Sequence, residues 1–377
     1  MGAGNLEAWS VTPSDFPATG PLLDKARFAV RYAILAPSSH NTQPWRFVSG
    51  DRELLICADR TRSLPNIDPF DRELIISCGA ALFNLRVALA HFLIPVEITT
   101  LPYSAEPDVV ARIAFPESGP ALKELADLFN AITKRATNRG PYIVEDISDR
   151  VIERLKSAAE SEGLDVAFAR TSSERERVAR LVAAADRRQF DDPRFRRELA
   201  SWIHSSRRDD GMPAFSQGFQ ALADIANPIA ALIIRTFDVG EGVAATHEQL
   251  ARGSPLLVSL SSPTDDNQGW LATGMGLQRL LLAATELGYA TSYLNQPIEV
   301  LDFRSLLARN CERPATPRFC SEWVAAPLRR IHRDVRCAKC CSECTVLQAL
   351  KRTPTDKTLM NSPYQQSTIW TRPAAPK

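Results

Sequence analysis

The chain carries an internal repeat. Cys78-Gly79-Ala80-Ala81-Leu82-Phe83-Asn84-Leu85-Arg86-Val87-Ala88-Leu89 matches Thr273-Gly274-Met275-Gly276-Leu277-Gln278-Arg279-Leu280-Leu281-Leu282-Ala283-Ala284 at a constant offset of 195 residues. Both segments place apolar residues at i, i+3, i+4 and i+7, the period of a helix. Both start on small residues, and both lead into an extended segment, Val96 to Leu101 and Ala290 to Leu294. Small residues let two helix backbones approach closely. Two readings follow: a pair of unrelated amphipathic core helices, or two gene-fused halves packed about a pseudo-two-fold axis, the repeat being what remains of an isologous dimer interface. On the second reading the helices at Gly79 and Gly274 pack against each other inside one chain, and the smallest folded unit is a monomer containing a pseudo-dimer.

Other classes are excluded by composition. With 377 residues, 45% apolar and 24% charged, the chain is long enough for a sizeable core. A formal charge of +1 leaves no electrostatic footprint for nucleic acid or anionic lipid, so any phosphate recognition is local. No membrane span is expected, because the apolar stretch at Ile229 to Ile234 is too short to cross a bilayer. Met1 to Phe16 lacks the basic and apolar regions of a secretory signal, and Leu6 occupies the position where myristoylation wants Ser or Thr. Cys57 and Cys78 are the only cysteines before Cys311, so the body of the chain reads as cytoplasmic.

Two short segments carry candidate chemistry. In Pro37-Ser38-Ser39-His40-Asn41-Thr42-Gln43-Pro44-Trp45-Arg46-Phe47 the prolines must stop a helix at Ala36 and restart the chain as a strand near Arg46 to Val48, which pre-shapes the loop between them. Ser38, Ser39 and Asn41 then either cap their own backbone or offer donors and acceptors to a flat polar heterocycle. His40 reads as structural or exposed. In Lys134-Arg135-Ala136-Thr137-Asn138-Arg139-Gly140-Pro141-Tyr142 an extended backbone would turn Arg135, Thr137 and Arg139 to one side, two guanidinium forks and a hydroxyl suited to a phosphate. The competing reading is a basic helix end followed by a turn. Ser148 to Arg187 reads as charged and mostly helical, and Asp59-Arg60 with Asp68 to Arg72 as solvated ion pairs. Residues 187–227, with Asp210-Gly211 and Pro213 as turn signals, read as short helices that either cover a site as a lid or form a solvated connection.

The Pro-Ser-Ser-His-Asn-Thr-Gln-Pro-Trp run closely resembles the flavin-contacting loop of the nitroreductase family, and Arg135-Ala136-Thr137-Asn138-Arg139 resembles that family's phosphate motif. The order of the two is inverted here, which a fusion explains: the first half supplies the loop and the second the phosphate motif, leaving one complete flavin site. The arrangement is similar to the twinned, single-chain Acg-like branch over Leu23 to about Pro314. The resemblance implies an α+β, nitroreductase-like FMN fold of two fused halves, 1–120 and 121–314. Pro37, Ser38, Ser39, Asn41, Gln43, Arg135, Thr137 and Arg139 would bind FMN. Gln296, Pro297 and Glu299 look like the segment whose backbone lies beside the reactive edge of the ring. No side chain is nominated as catalytic, because the cofactor carries the hydride. The activity implied is hydride transfer from NADH or NADPH to a small acceptor such as a nitroaromatic or quinone, with sequestration of FMN as the alternative.

From Ala315 to Lys377 the text departs from this pattern. Cys337-Ala338-Lys339-Cys340-Cys341-Ser342-Glu343-Cys344 could suggest zinc or an iron–sulfur cluster, but two interleaved Cys-x-x-Cys turns in one short peptide can hardly surround a tetrahedral ion. Read one nucleotide earlier, the same codons permit an apolar strand ending in Pro-Arg-Arg, with Leu forced at Phe319-Cys320 and Gly at Trp323-Val324. The expectation is therefore a frameshift near Pro314, no metal, and a sheet left one strand short with an unpaired edge.

Overall fold

The computed structural model describes residues 7–119, 121–138, 142, 146–203, 210–212, 227–310, 319–324, 329–330 and 368–370, a few of them by backbone alone. In chain order the first elements are α1 (Leu22–Ala33), β1 (Trp45–Ser49), β2 (Glu53–Ala58), α2 (Arg72–His91), β3 (Glu97–Thr100), β4 (Val109–Ala114) and the single turn α3 (Phe129–Ile132). After them come α4 (Asp149–Glu160), β5 (Asp165–Ala169), α5 (Ser172–Asp191), α6 (Pro193–Ser201), α7 (Asn227–Thr236), α8 (Gly240–Arg252), β6 (Leu257–Ser262) and α9 (Asn267–Glu286). The last are β7 (Tyr289–Ala290), α10 (Gln296–Glu299), α11 (Leu301–Asn310), β8 (Phe319–Val324), β9 (Arg329–Arg330) and β10 (Thr368–Trp370). Helices and antiparallel sheets are mixed, so the class is α+β.

The repeat helices are the centre. α2 is buried on nearly every face because it lies between the first-half sheet and α9. Among the described residues it is the one helix long and apolar enough to cross a membrane, and its apolar surface is spent inside the fold. Gly79 and Gly274 meet where the two helices cross: a Cβ built on Gly79 would lie 3.0 Å from the Gly274 Cα, and one built on Gly274 would lie 2.9 Å from the Ala80 nitrogen and inside the Ile76 carbonyl. Only hydrogen fits at either position. One layer further along, Gln278 donates to Asn84 Oδ1 at 2.7 Å, and Asn84 donates to the Tyr32 carbonyl at 3.1 Å, all of it buried. At the rim, Glu162 accepts from Arg86 at 2.6 Å and from Arg279 at 2.8 Å, one arginine from each repeat helix.

On one side of this pair lies the sheet β10-β1-β2-β4-β3, and on the other lies β5-β6-β8, with the short pair β7-β9 apart from both. Three local expectations need correcting. The charged stretch after Ser148 is not all helix, since Asp165–Ala169 pairs with β6 as strand β5. Asp68 and Arg72 are buried rather than solvated, because Asp68 accepts from the Arg72 and Leu74 N–H groups at 2.8 and 3.0 Å and satisfies the start of α2. The sheet is not left a strand short either: Phe319–Val324 lies antiparallel to β6, with Val324 opposite Val258 and Phe319 opposite Ser262. β6 is buried along its whole length, so its free edge needs a partner, and the aromatic and β-branched residues of Phe-Cys-Ser-Glu-Trp-Val suit that place. Cys337 to Cys344 lie outside the described residues.

Candidate functional site

A cavity of about 590 Å³ opens between the halves. The Pro37 loop and α2 wall it from the first half, the segment after α3 and the α5, α8 and α10 helices from the second. α1 ends three residues earlier than the prolines require, at Ala33, and its last turn runs on to Ala36 before the loop begins. Within the loop His40, Asn41 and Gln43 hold φ of 52, 53 and 51°, left-handed values that non-glycine residues rarely adopt. Proline alone does not produce these. Ser38 Oγ accepts from the Gln43 N–H at 2.9 Å, Gln43 Nε2 donates to Asn41 Oδ1 at 3.1 Å, and the Cys78 thiol of α2 donates to the Pro44 carbonyl at 3.3 Å. The polar side chains of the loop line the cavity and are already used in holding its shape.

Of the residues read from sequence, Pro37, Ser38, Ser39, Asn41, Gln43, Arg135, Thr137, Gln296 and Glu299 line this one cavity. Pro297 does not; it is buried in the first turn of α10. Arg139 lies outside the described residues. The Arg135 amide closes the turn of α3 on the Ala131 carbonyl, and the chain then runs extended, with Thr137 bridging Thr291 and the Asn138 N–H reaching the Thr291 carbonyl at 2.8 Å. Arg135 is 6% exposed, and its Nε and Nη1 find no partner among the described residues. Buried guanidinium N–H groups without acceptors are costly, and an anion in the cavity would relieve them.

The opposite wall is acidic. Ser39 donates to Glu73 of α2, Gln189 of α5 donates to Glu299 of α10, and the two carboxyls are close enough to act on each other. Removal from water pushes Glu299 up to about 7, against the opposing hydrogen bonds of Gln189 and Glu73. Burial likewise holds Glu73 well above the usual carboxylate range, helped by the charges of Glu299 and Asp68, and lifts Asp68 to about 6. Native carboxyls with raised values bind protons that the unfolded chain has released, so their contribution to stability is full below the unfolded values and lost as pH rises through the folded ones. The melting temperature is expected to fall between about pH 5 and pH 8, and more shallowly in Glu299→Gln. A thermal scan at both pH values giving equal slopes for the two proteins would contradict this.

Beyond the loop, Phe190, Phe195, Leu199, Gly211 and Met212 of the 187–227 segment line the cavity. Phe190, Phe195, Leu199 and Met212 pack with Leu64 and Ile67 of the first half. Glu198 of α6 accepts from the Asn66 and Ile67 N–H groups at 3.0 Å each. Gly211 exchanges hydrogen bonds with Asn41, and Arg62 donates to Asp210 at 2.9 Å and to the Thr42 carbonyl at 2.6 Å. The sequence reading passed over Asp186 and His247. Both line the cavity, on α5 and α8, with His247 Nδ1 3.0 Å from Asp186 Oδ2. The signal was there: Asp186 continues the Val178–Val182 stripe and His247 lies between Val243 and Ala251, polar residues at core positions of their helices.

No family model matches the chain. It is 31% identical over 286 residues to "Uncharacterized protein Rv3127" of Mycobacterium tuberculosis (strain ATCC 25618 / H37Rv), covering 74% of this chain and 80% of that one. It is 29% identical to "Putative NAD(P)H nitroreductase Rv3131" of the same organism, covering 75% and 80%, and 28% identical to its "Putative NAD(P)H nitroreductase acg", covering 80% and 89%. A crystal structure of a nitroreductase with bound FMN from Bacteroides fragilis NCTC 9343 aligns at 15% identity with a TM-score of 0.33, over 63% of this chain and 98% of that chain.

Proposed function

This chain belongs to the nitroreductase family, in its single-chain Acg-like branch, and we propose that its cavity holds one FMN and serves hydride transfer from NADH or NADPH to a small acceptor such as a nitroaromatic or quinone. The observation that carries this is the buried Arg135 guanidinium, whose Nε and Nη1 have no partner among the described residues, lining one cavity together with a pre-shaped polar loop. Arg135 and Thr137 hold the phosphate, with Arg139 as the third member of the motif. The Pro37–Gln43 loop and the Gln296–Glu299 segment border the ring, and Ile76, Ala80 and Leu277 give it an apolar wall. When bound, FMN supplies hydride acceptance and donation; the protein binds, orients and shields it from water. The functional unit is a monomer, each repeat helix being the other's partner.

A visible absorption spectrum of the purified protein and parallel titrations with FMN and riboflavin test the reading. Because riboflavin lacks the phosphate, FMN is expected to bind at least about tenfold tighter, the worth of one charge-assisted contact. Equal affinities would remove the phosphate assignment.

The Gly211–Asn41 and Asp210–Arg62 contacts favour a second reading, in which FMN is sequestered without turnover. Arg62→Ala should speed FMN release about three- to fivefold, as loss of a partly buried ion pair would. Steady-state reduction of a nitrofuran or quinone by the wild-type chain separates the two readings, since a sequestering protein gives none.

A further inference from the structure

Asp186 is 1% exposed, and His247 is the one described side chain that hydrogen-bonds its carboxylate, with Nδ1 3.0 Å from Oδ2 and 3.2 Å from Oδ1. A carboxylate this deeply buried requires a proton donor against it, so Nδ1 carries the hydrogen. The Gln296 amide nitrogen lies 2.9 Å from the same Nδ1, while Gln296 Oε1 is buried without a partner. One ring nitrogen cannot donate to Asp186 and accept from Gln296. Turning that amide end for end, an exchange of two atoms of nearly equal scattering and shape, places Oε1 on Nδ1–H and gives that oxygen the donor it lacks. Nδ1 is then held by acceptors from α5 and α10, and Nε2 is left as the nitrogen through which His247 serves the cavity it lines.

We propose that His247, in the imidazolium form that carries hydrogen on Nε2 as well as on Nδ1, is the acid of this site, a catalytic residue that protonates the acceptor, with Asp186 and Gln296 as its positioning residues. This rests on the hydride-transfer reading and narrows its substrates to acceptors whose oxygen must take a proton with the electron pair. A quinone becomes a hydroquinone by gaining one hydride, the electron pair of NAD(P)H, and one proton. As the new bond to hydrogen forms, the displaced π pair settles on the far oxygen, which takes the proton from Nε2. The imidazolium is left neutral and regains a proton from water, and the nicotinamide leaves oxidised. A nitro group takes the same hydride and proton, loses water and becomes nitroso.

The FMN-loaded protein is assayed with a quinone and with ferricyanide, which accepts electrons without protons. In His247→Gln the ratio of quinone to ferricyanide kcat should fall about tenfold or more, with quinone KM and flavin content within about twofold. Asp186→Asn should lower the same ratio less. Equal losses with both acceptors would overturn the assignment, because a merely structural role affects both. A readout that needs neither cofactor nor turnover is the ¹⁵N–¹H spectrum of His247, where hydrogen on Nδ1 is expected, with the signal altered in Asp186→Asn; a neutral ring protonated on Nε2 overturns the proposal. A chain that reduces neither acceptor refutes hydride transfer, and the tautomer then decides the His247 geometry alone.

Discussion

Gly274→Ala should destabilise the protein by about 3 kcal/mol or more and lower its melting temperature by about 10 °C. Taken alone the change favours folding, since alanine is better than glycine in a helix interior by about 1 kcal/mol. At this position the added Cβ would lie inside the Ile76 carbonyl and 2.9 Å from the Ala80 nitrogen, both backbone atoms of α2. A backbone cannot swing aside, so α2 and α9 must separate, and the buried Gln278–Asn84 hydrogen bond at 2.7 Å separates with them. Two glycines in the same chain act as controls. A Cβ on Gly276 would meet the flexible end of Leu164, and one on Gly242 of α8 would meet nothing within 4 Å. Gly242→Ala should therefore stabilise by up to about 1 kcal/mol. Calorimetric melting of the three variants giving equal shifts would mean that the crossing is not tight.

Arg135→Ala should weaken FMN binding about ten- to a hundredfold, the effect of removing a charge-assisted contact worth about 1.5–3 kcal/mol. Riboflavin binding should change far less, because the lost partner is the phosphate. Stability without the flavin should be unharmed or improved, since the guanidinium is buried and its Nε and Nη1 are unpaired among the described residues. Asn41→Ala should weaken both flavins alike. Its side chain donates to the Gly211 carbonyl at 3.0 Å and accepts from Gln43, so its loss loosens the loop. Fluorescence titration of both ligands reads this pattern, and an Arg135→Ala protein with unchanged FMN affinity would place the phosphate elsewhere.

Much of this was legible in the sequence where one residue type serves one purpose. Glycines repeated on two helices announced the crossing, and prolines on either side of a polar run announced the loop. Arg135 was legible as a site residue only through the resemblance, since its local sequence reads equally as a basic helix end followed by a turn. Legibility ended where a residue's meaning depends on a distant partner. Asp186 and His247 are 61 positions apart on charged amphipathic helices and become a pair only when α5 packs on α8. Asp68 and Arg72 look like surface charges, and become buried because the start of α2 needs acceptors for its N–H groups. β5 is five residues long between two charged helices, too short for its alternation to stand out. Ser38 and Asn41 hold the shape of the loop and also line the cavity, which the loop sequence by itself does not show.

The cavity draws its walls from both repeat halves, and α2 belongs at once to the wall and to the crossing. Ligand occupancy and the docking of the halves are therefore thermodynamically linked: a molecule bound only when the halves are joined stabilises the joined state by RT ln(1 + [L]/Kd), about 2.7 kcal/mol at a hundredfold excess over Kd. Read in reverse, the same linkage means that a lesion at the distant rim, such as loss of the Glu162 clamp between Arg86 and Arg279, registers as weakened affinity at a pocket it never touches. In such a chain a bound ligand would act as a third structural member, its supply shifting the balance toward the joined halves.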